Sequence, residues 1–202
     1  MNAFGTSFSQ KRIGILGGSF NPAHRGHLHV SRYALDRLRL DEIWWMVSPQ
    51  NPLKSSDGMA DLSERISSAI LIAKDKRIRI TDIEVKLGTA YTAETLYKLK
   101  RVYPKARFVW LMGADNLMQI PMWKDWKKIF KTVPIAVFTR PNFSKRALDG
   151  VAAKRFARYR INENKICQLC FMRAPAWTFI NIKPDPISAT RVRTGIGAVN
   201  IY

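Results

Sequence analysis

The segment 42–48, Glu-Ile-Trp-Trp-Met-Val-Ser, is apolar almost without interruption, the pattern of a strand buried on both faces. Comparable apolar runs stand at 13–16, 108–112, 134–138 and 177–182, and 78–83 alternates like a further strand. Between them, helical spacing marks 28–40, 62–74, 92–102, a cationic stretch that opens near Trp123 and Trp126, and 145–159. Strand and helix therefore alternate along the chain, which predicts an α/β fold: a Rossmann-like parallel sheet with helices on both faces. In such a sheet ligands gather at the carboxyl ends of the strands.

One strand end stands out. The first apolar run leads into Gly17-Gly18-Ser19-Phe20-Asn21-Pro22-Ala23-His24-Arg25-Gly26-His27 and then into a helix. The two glycines read as a turn that lets backbone approach a ligand, with the helix start favouring an anion. The chain has 3 His, all between residues 24 and 29. His24 and His27, three apart, are expected to share a face of the first helical turn; His29 should face elsewhere. The dinucleotide pattern G-x-G-x-x-G is not matched, since the glycines fall at 14, 17, 18 and 26, and no G-x-x-x-x-G-K-[ST] loop occurs.

Composition narrows the setting. The 202 residues suit one domain, with 1–10 read as a flexible tail and 11–202 as the domain. Residues 1–10 lack the basic start and apolar core of a signal peptide, and no run approaches the ~20 apolar residues of a membrane span. Two cysteines give no disulfide framework, which fits a cytoplasmic protein. Cys167 and Cys170 have C-x-x-C spacing, but no second pair or nearby histidine completes a metal site. The net charge of +19, from 34 Lys+Arg against 15 Asp+Glu, brings polyanions into consideration. The cations fall in separate helical stretches, 98–107, 124–131 and 145–160, and no nucleic-acid-binding motif accompanies them. A basic surface serving a phosphate-rich small substrate is preferred to a non-catalytic RNA-binding role.

Other strand ends add candidates. Lys54 lies in the loop 49–54, as a phosphate partner or a solvated side chain. Thr92 reads as a helix cap. Asp115, in Gly113-Ala114-Asp115, closes a strand and suits a ribose hydroxyl, a helix N-cap, or both. Trp123 and Trp126 are spaced as core aromatics. Near the other end, Ile187-Ser188-Ala189-Thr190-Arg191-Val192-Arg193 offers hydroxyls and a guanidinium fork at a helix start.

The elements Gly-Gly-Ser-Phe-Asn-Pro-x-His-x-Gly-His, Tyr91-Thr92-x-x-Thr95-Leu96 and Ile187-Ser188-x-Thr190-x-x-Arg193 together resemble the nucleotidyltransferase superfamily. Within it they are most similar to the bacterial nicotinate-mononucleotide adenylyltransferases. The resemblance covers about residues 11–193. It implies a nucleotidyltransferase-type sheet and adenylyl transfer from ATP, with Mg²⁺, to nicotinate mononucleotide. It assigns His24, His27 and Arg193 to catalysis on the triphosphate. Gly17, Gly18, Ser19, Phe20, Gly113, Asp115, Ile187, Ser188 and Thr190 join His27 and Arg193 around ATP. Asn21, Lys54, Thr92, Trp123 and Arg140 fall on the mononucleotide side, with Trp123 stacking on the pyridine ring. Two departures stand against it: Ala189 replaces a serine, and the region 183–202 is short, with nine residues after Arg193. Phosphopantetheine adenylyltransferase is the alternative within the superfamily. Assembly into a homo-oligomer is left open.

Overall fold

The computed structural model describes residues 10–49, 58–140 and 143–183. Six strands form one sheet: β1 (Arg12–Gly18), β2 (Glu42–Val47), β3 (Ile78–Thr81), β4 (Arg107–Gly113), β5 (Ile135–Phe138) and β6 (Trp177–Ile180). Their order is β3-β2-β1-β4-β5-β6, and every neighbouring pair is parallel. The expected Rossmann-like sheet is therefore present. The direction of winding reverses between β1 and β4, which creates a crevice at their carboxyl ends.

Alternation along the strands divides the core in two. Ile13, Ile15, Trp44, Met46, Trp110, Met112, Ile135 and Val137 face one side. There they meet α3 (Ile83–Leu87), α4 (Thr92–Val102), α5 (Ala114–Gln119), α6 (Trp126–Thr132), α7 (Ser144–Asp149) and α8 (Val151–Arg155). Leu16, Ile43, Trp45, Val47, Val109, Leu111 and Phe138 face the other side. These pack on α1 (Arg25–Arg37), α2 (Leu62–Ile72) and the 3₁₀ segment Glu163–Phe171. Helices thus cover both faces, and the doubly buried strands explain the unbroken apolar runs. A buried hydrogen bond from Trp45 Nε1 to Ser31 Oγ, 2.7 Å, fixes α1 on the sheet.

Several element boundaries differ from the sequence expectation. Gly17 and Gly18 end β1, paired with Met46 and Val47, and do not form a turn. A Cβ on Gly17 would lie 2.4 Å from the Trp110 ring, so glycine is required there by packing. Residue 83 begins α3, which ends at Gly88 in the left-handed region (φ 59°), and does not extend β3. The stretch 145–159 splits at Gly150, whose extended backbone closes α7 and opens α8. The cationic helix begins at Trp126 because Asp125 takes a left-handed backbone (φ 56°). Trp123 stands before it in extended conformation, after the 3₁₀ turn Ile120–Met122.

Candidate active site

The turn between β1 and α1 runs from Ser19 to Ala23. Phe20 has a left-handed backbone (φ 48°), and its side chain is buried, stacked on Trp45 with centroids 5.2 Å apart. Only the main chain of Phe20 is therefore placed to meet a ligand. Asn21 precedes a cis proline. Its Nδ2 donates to Gly58 O (3.0 Å), and its Oδ1 accepts from Ala60 N (3.3 Å). These bonds tie the turn to the segment that enters α2.

The two histidines form a reciprocal cap and not the shared helical face expected from their spacing. His24 is the N-cap of α1, in extended conformation. Its Nδ1 accepts from Gly26 N (3.1 Å), while His24 N donates to His27 Nδ1 (3.2 Å). The rings lie 3.9 Å apart. Because both Nδ1 atoms accept, the bonds assign the neutral rings to the Nε2–H tautomer. Phe20 and Trp45 enclose His27 at 4.7 and 5.8 Å between centroids. This burial, helped by the fields of His24 and Arg140, pushes His27 well below the ordinary histidine value of 6.5. Near neutral pH His27 is an uncharged hydrogen-bond donor. His29, as expected, points elsewhere, its Nε2 on Lys183 O at 3.0 Å.

Across the switch point, Gly113 is the N-cap of α5 and Asp115 lies in its first turn. Asp115 is thus not the cap itself. Its Oδ1 is buried without a hydrogen bond; the nearest cation is Arg140 Nε at 3.4 Å, an ion pair too long for a good bond. A Cβ on Gly113 would fall 2.3 Å from that oxygen and 2.8 Å from Arg140 Nε, so glycine lets the pair close over the strand end. Arg140 follows β5, where its carbonyl accepts from Ser144 Oγ (3.1 Å). The electrostatic effect of Arg140 on His27 joins the two sides of the crevice.

Thr92 is the first residue of α4, and Tyr91 is its N-cap. The expected capping by Thr92 is absent, because the cap position lies one residue earlier and no side chain caps the helix. Its early amides face outward from the helix start. The packing beneath was missed in the sequence. Glu84, on α3, is buried and accepts from Thr95 Oγ1 at 3.2 Å, while Thr95 and Thr89 hydroxyls stand 2.8 Å apart. Burial raises the Glu84 pKa, opposed by hydroxyls of Ser48 and Thr95. Trp123 is half-buried against the same core, and Trp126 packs edge-on to Phe130 and Phe156, as a core residue should. Lys54, Ile187, Ser188, Thr190 and Arg193 lie outside the described residues. Among the described residues, Cys167 and Cys170 are free, and no helix is long and apolar enough to cross a membrane.

Arg65 is the second residue that sequence reasoning passed over. It falls in the stretch 62–74 that spacing marks as helical, and it stands four residues before buried Ala69 on the inner face of α2. That position is the signal that could have found it.

A parallel sheet with a histidine pair at one central strand end and a carboxylate at the other is an α/β arrangement suited to a ligand in the switch-point crevice. A family model described as cytidylyltransferase-like matches residues 15–195. A probable nicotinate-nucleotide adenylyltransferase of Parvibaculum lavamentivorans is 50% identical over 182 residues, 90% of each chain. Another, from Ruegeria pomeroyi, is 47% identical and covers 92% of this chain and 86% of its own. One from Bradyrhizobium is 46% identical, covering 93% and 97%. Among solved structures, Plasmodium falciparum nicotinic acid mononucleotide adenylyltransferase complexed with NaAD shares the fold, with a TM-score of 0.68 at 21% identity. It covers 95% of this chain and 86% of that one. The chain belongs to the cytidylyltransferase-like family and, within it, to the nicotinate-nucleotide adenylyltransferases.

Proposed function

We propose that the protein is an enzyme of NAD biosynthesis, transferring the adenylyl group of ATP to nicotinate mononucleotide with release of pyrophosphate. The observation that carries this is the reciprocally hydrogen-bonded histidine pair at the β1–β4 switch point. The choice of acceptor follows the relatives named for that reaction, 46–50% identical to this chain.

A phosphate oxygen of the mononucleotide attacks the α-phosphorus of ATP. The new P–O bond forms as the bond from that phosphorus to the bridging oxygen breaks, and the electron pair leaves with pyrophosphate. The nucleophile is already ionised, so the site needs alignment and hydrogen-bond donors more than a base. His24 and His27 offer Nε2–H donors to the phosphates, and Gly17, Gly18, Ser19 and Phe20 present main chain beside them. Gly113 and Asp115 stand toward the nucleoside, Asp115 as an acceptor for ribose hydroxyls. Ile187, Ser188, Thr190 and Arg193 complete the triphosphate site from the other end of the chain. Asn21, Lys54, Thr92, Trp123 and Arg140 form the mononucleotide side. The N-terminus of α4 suits a pyridine carboxylate, and the Trp123 indole suits a flat ring.

Among the described residues no group of three His, Cys, Asp or Glu can hold a metal ion. Mg²⁺ would be carried by the phosphates of ATP, where it would neutralise phosphate charge. The setting proposed is cytoplasmic.

The test is pyrophosphate release with ATP and Mg²⁺, with nicotinate mononucleotide, its amide analogue and phosphopantetheine as parallel acceptors. Release with the nicotinate compound is expected. Release with phosphopantetheine alone overturns the acceptor; silence with all three, together with salt-sensitive RNA binding, overturns the enzyme.

A further inference from the structure

Arg65 is 2% exposed and, among the described residues, pairs with no carboxylate. Its guanidinium instead donates to four main-chain carbonyls: Nε to Ala60 O (2.9 Å), one terminal nitrogen to Ser19 O and Ser48 O (both 2.7 Å), the other to Pro49 O (2.8 Å). The Asp61 carboxylate, at the N-cap of α2, acts on the guanidinium through its field. Burying a cation without a paired counter-ion is costly, and here the cost is met chiefly by carbonyl dipoles, helped by the field of Asp61. Those carbonyls belong to three separate segments: the turn after β1, the exit of β2 and the entry of α2. The rigid five-donor fork of arginine can hold three segments at fixed spacing; a lysine, with one compact ammonium on a flexible stem, cannot.

The turn it holds is the one that carries His24. Ser19 O is gripped by Arg65, and Asn21, two residues on, is bonded to Gly58 and Ala60 at the same entry to α2. The turn is thereby pinned twice to one partner before it reaches the histidine cap. We infer that Arg65 is a positioning residue for adenylyl transfer, one that sets the histidine turn against the β2 exit without touching substrate. This rests on the reaction proposed above. Misplacement of reacting groups by about 1 Å costs roughly 100-fold in rate, so the effect falls on turnover and leaves binding largely intact.

The experiment compares wild type, Arg65→Lys and Arg65→Ala by steady-state kinetics with ATP and nicotinate mononucleotide. Thermal melting and amide hydrogen exchange over residues 19–27 are measured on the same samples. For Arg65→Lys, kcat is expected to fall roughly 10- to 100-fold, with both KM values within about threefold. Exchange should quicken at 19–27 while β1 and β4 stay protected. Added guanidinium should recover part of kcat in Arg65→Ala and leave wild type unchanged. An Arg65→Lys enzyme with unchanged kcat overturns the inference, as does a kcat loss matching the unfolded fraction without guanidinium rescue. If Arg65→Ala does not fold, the lysine variant decides by its kcat-against-KM split and exchange pattern. If wild type itself transfers no adenylyl group to nicotinate mononucleotide, the proposed reaction fails. Exchange at 19–27 then judges the positioning role alone, and unaltered exchange in Arg65→Lys overturns it.

Discussion

The donor pair at His24 and His27 depends on which nitrogen of each ring is already engaged. His27 Nδ1 is committed to the His24 amide, so Nε2–H is the donor it can offer a phosphate oxygen. An asparagine at 27 can keep the accepting oxygen near the helix cap but lacks the distal N–H. His27→Asn is therefore expected to lower kcat roughly 100-fold or more, the loss seen when an oxyanion donor is removed. Melting should shift little, and a fall in Tm large enough to unfold the enzyme at assay temperature would refute the assignment. The same burial makes a signed pH prediction. His27 titrates below 6.5 when folded, so below that value the unfolded chain binds the proton first. Its contribution to stability is full above pH 6.5 and is lost as pH falls from there toward the lowered folded value. Tm measured from pH 7 to 5 should drop more steeply for wild type than for His27→Asn. Spacing alone brought the two histidines together correctly; it could not show that His24 precedes the helix, because capping by imidazole follows from backbone angles and not from periodicity.

Among the secondary-structure elements, α4 depends most on a contact that the sequence hides. Its first turn lacks a side-chain cap, and it is anchored from below by Thr95, whose hydroxyl meets Glu84, Thr89 and the Tyr91 carbonyl. Thr95→Val keeps the shape and leaves a buried carboxyl short of a partner. The cost is expected to be about 1–3 kcal/mol, a fall in Tm of roughly 3–9 °C for a chain of this size, read by calorimetry. A change under about 1 °C would show that Glu84 finds its bonds elsewhere. If the mononucleotide carboxylate meets this helix start, KM for nicotinate mononucleotide should rise more than KM for ATP. In the sequence Thr92 reads as the cap, and the first residue of α3 is taken into the strand 78–83 while the rest of that helix goes unread. Both errors have one cause: five-residue helices and cap positions are fixed by tertiary contacts such as Glu84–Thr95, which local propensity does not register.

Across the protein as a whole, what proved readable was whatever burial dictates. Trp44-Trp45-Met46 and Trp110-Leu111-Met112 can sit only in strands covered on both faces, so the parallel sheet and its carboxyl edge follow from them. Arg65 and Glu84 were not readable, since a charged letter in a helical stretch ordinarily marks a solvated face, and only the fold reveals an inward one. The charge of +19 is a property of the entire surface and has a kinetic consequence. Lys124, Lys127, Lys128 and Lys131 lie on or beside α6, and Lys98, Lys100 and Arg101 on α4. Of these, Lys100 bonds Thr132 O across the two helices, while Lys98 pairs with Glu94 and Lys128 with Asp125, so a predominantly basic face lies on α4 and α6, the elements beside Thr92 and Trp123. Both proposed substrates are polyanions, and a field of this sign raises their encounter rate. Raising salt from about 20 to 300 mM shortens the reach of surface charge to a few ångströms. Under those conditions kcat/KM for each substrate is expected to fall several-fold, with kcat changing less than about twofold. Reversing Lys124 and Lys128 to Glu should flatten the salt dependence for nicotinate mononucleotide while leaving Tm close to wild type, because both side chains are exposed. A salt response unchanged by the reversal would place the steering field elsewhere on the surface and detach the basic face from substrate capture.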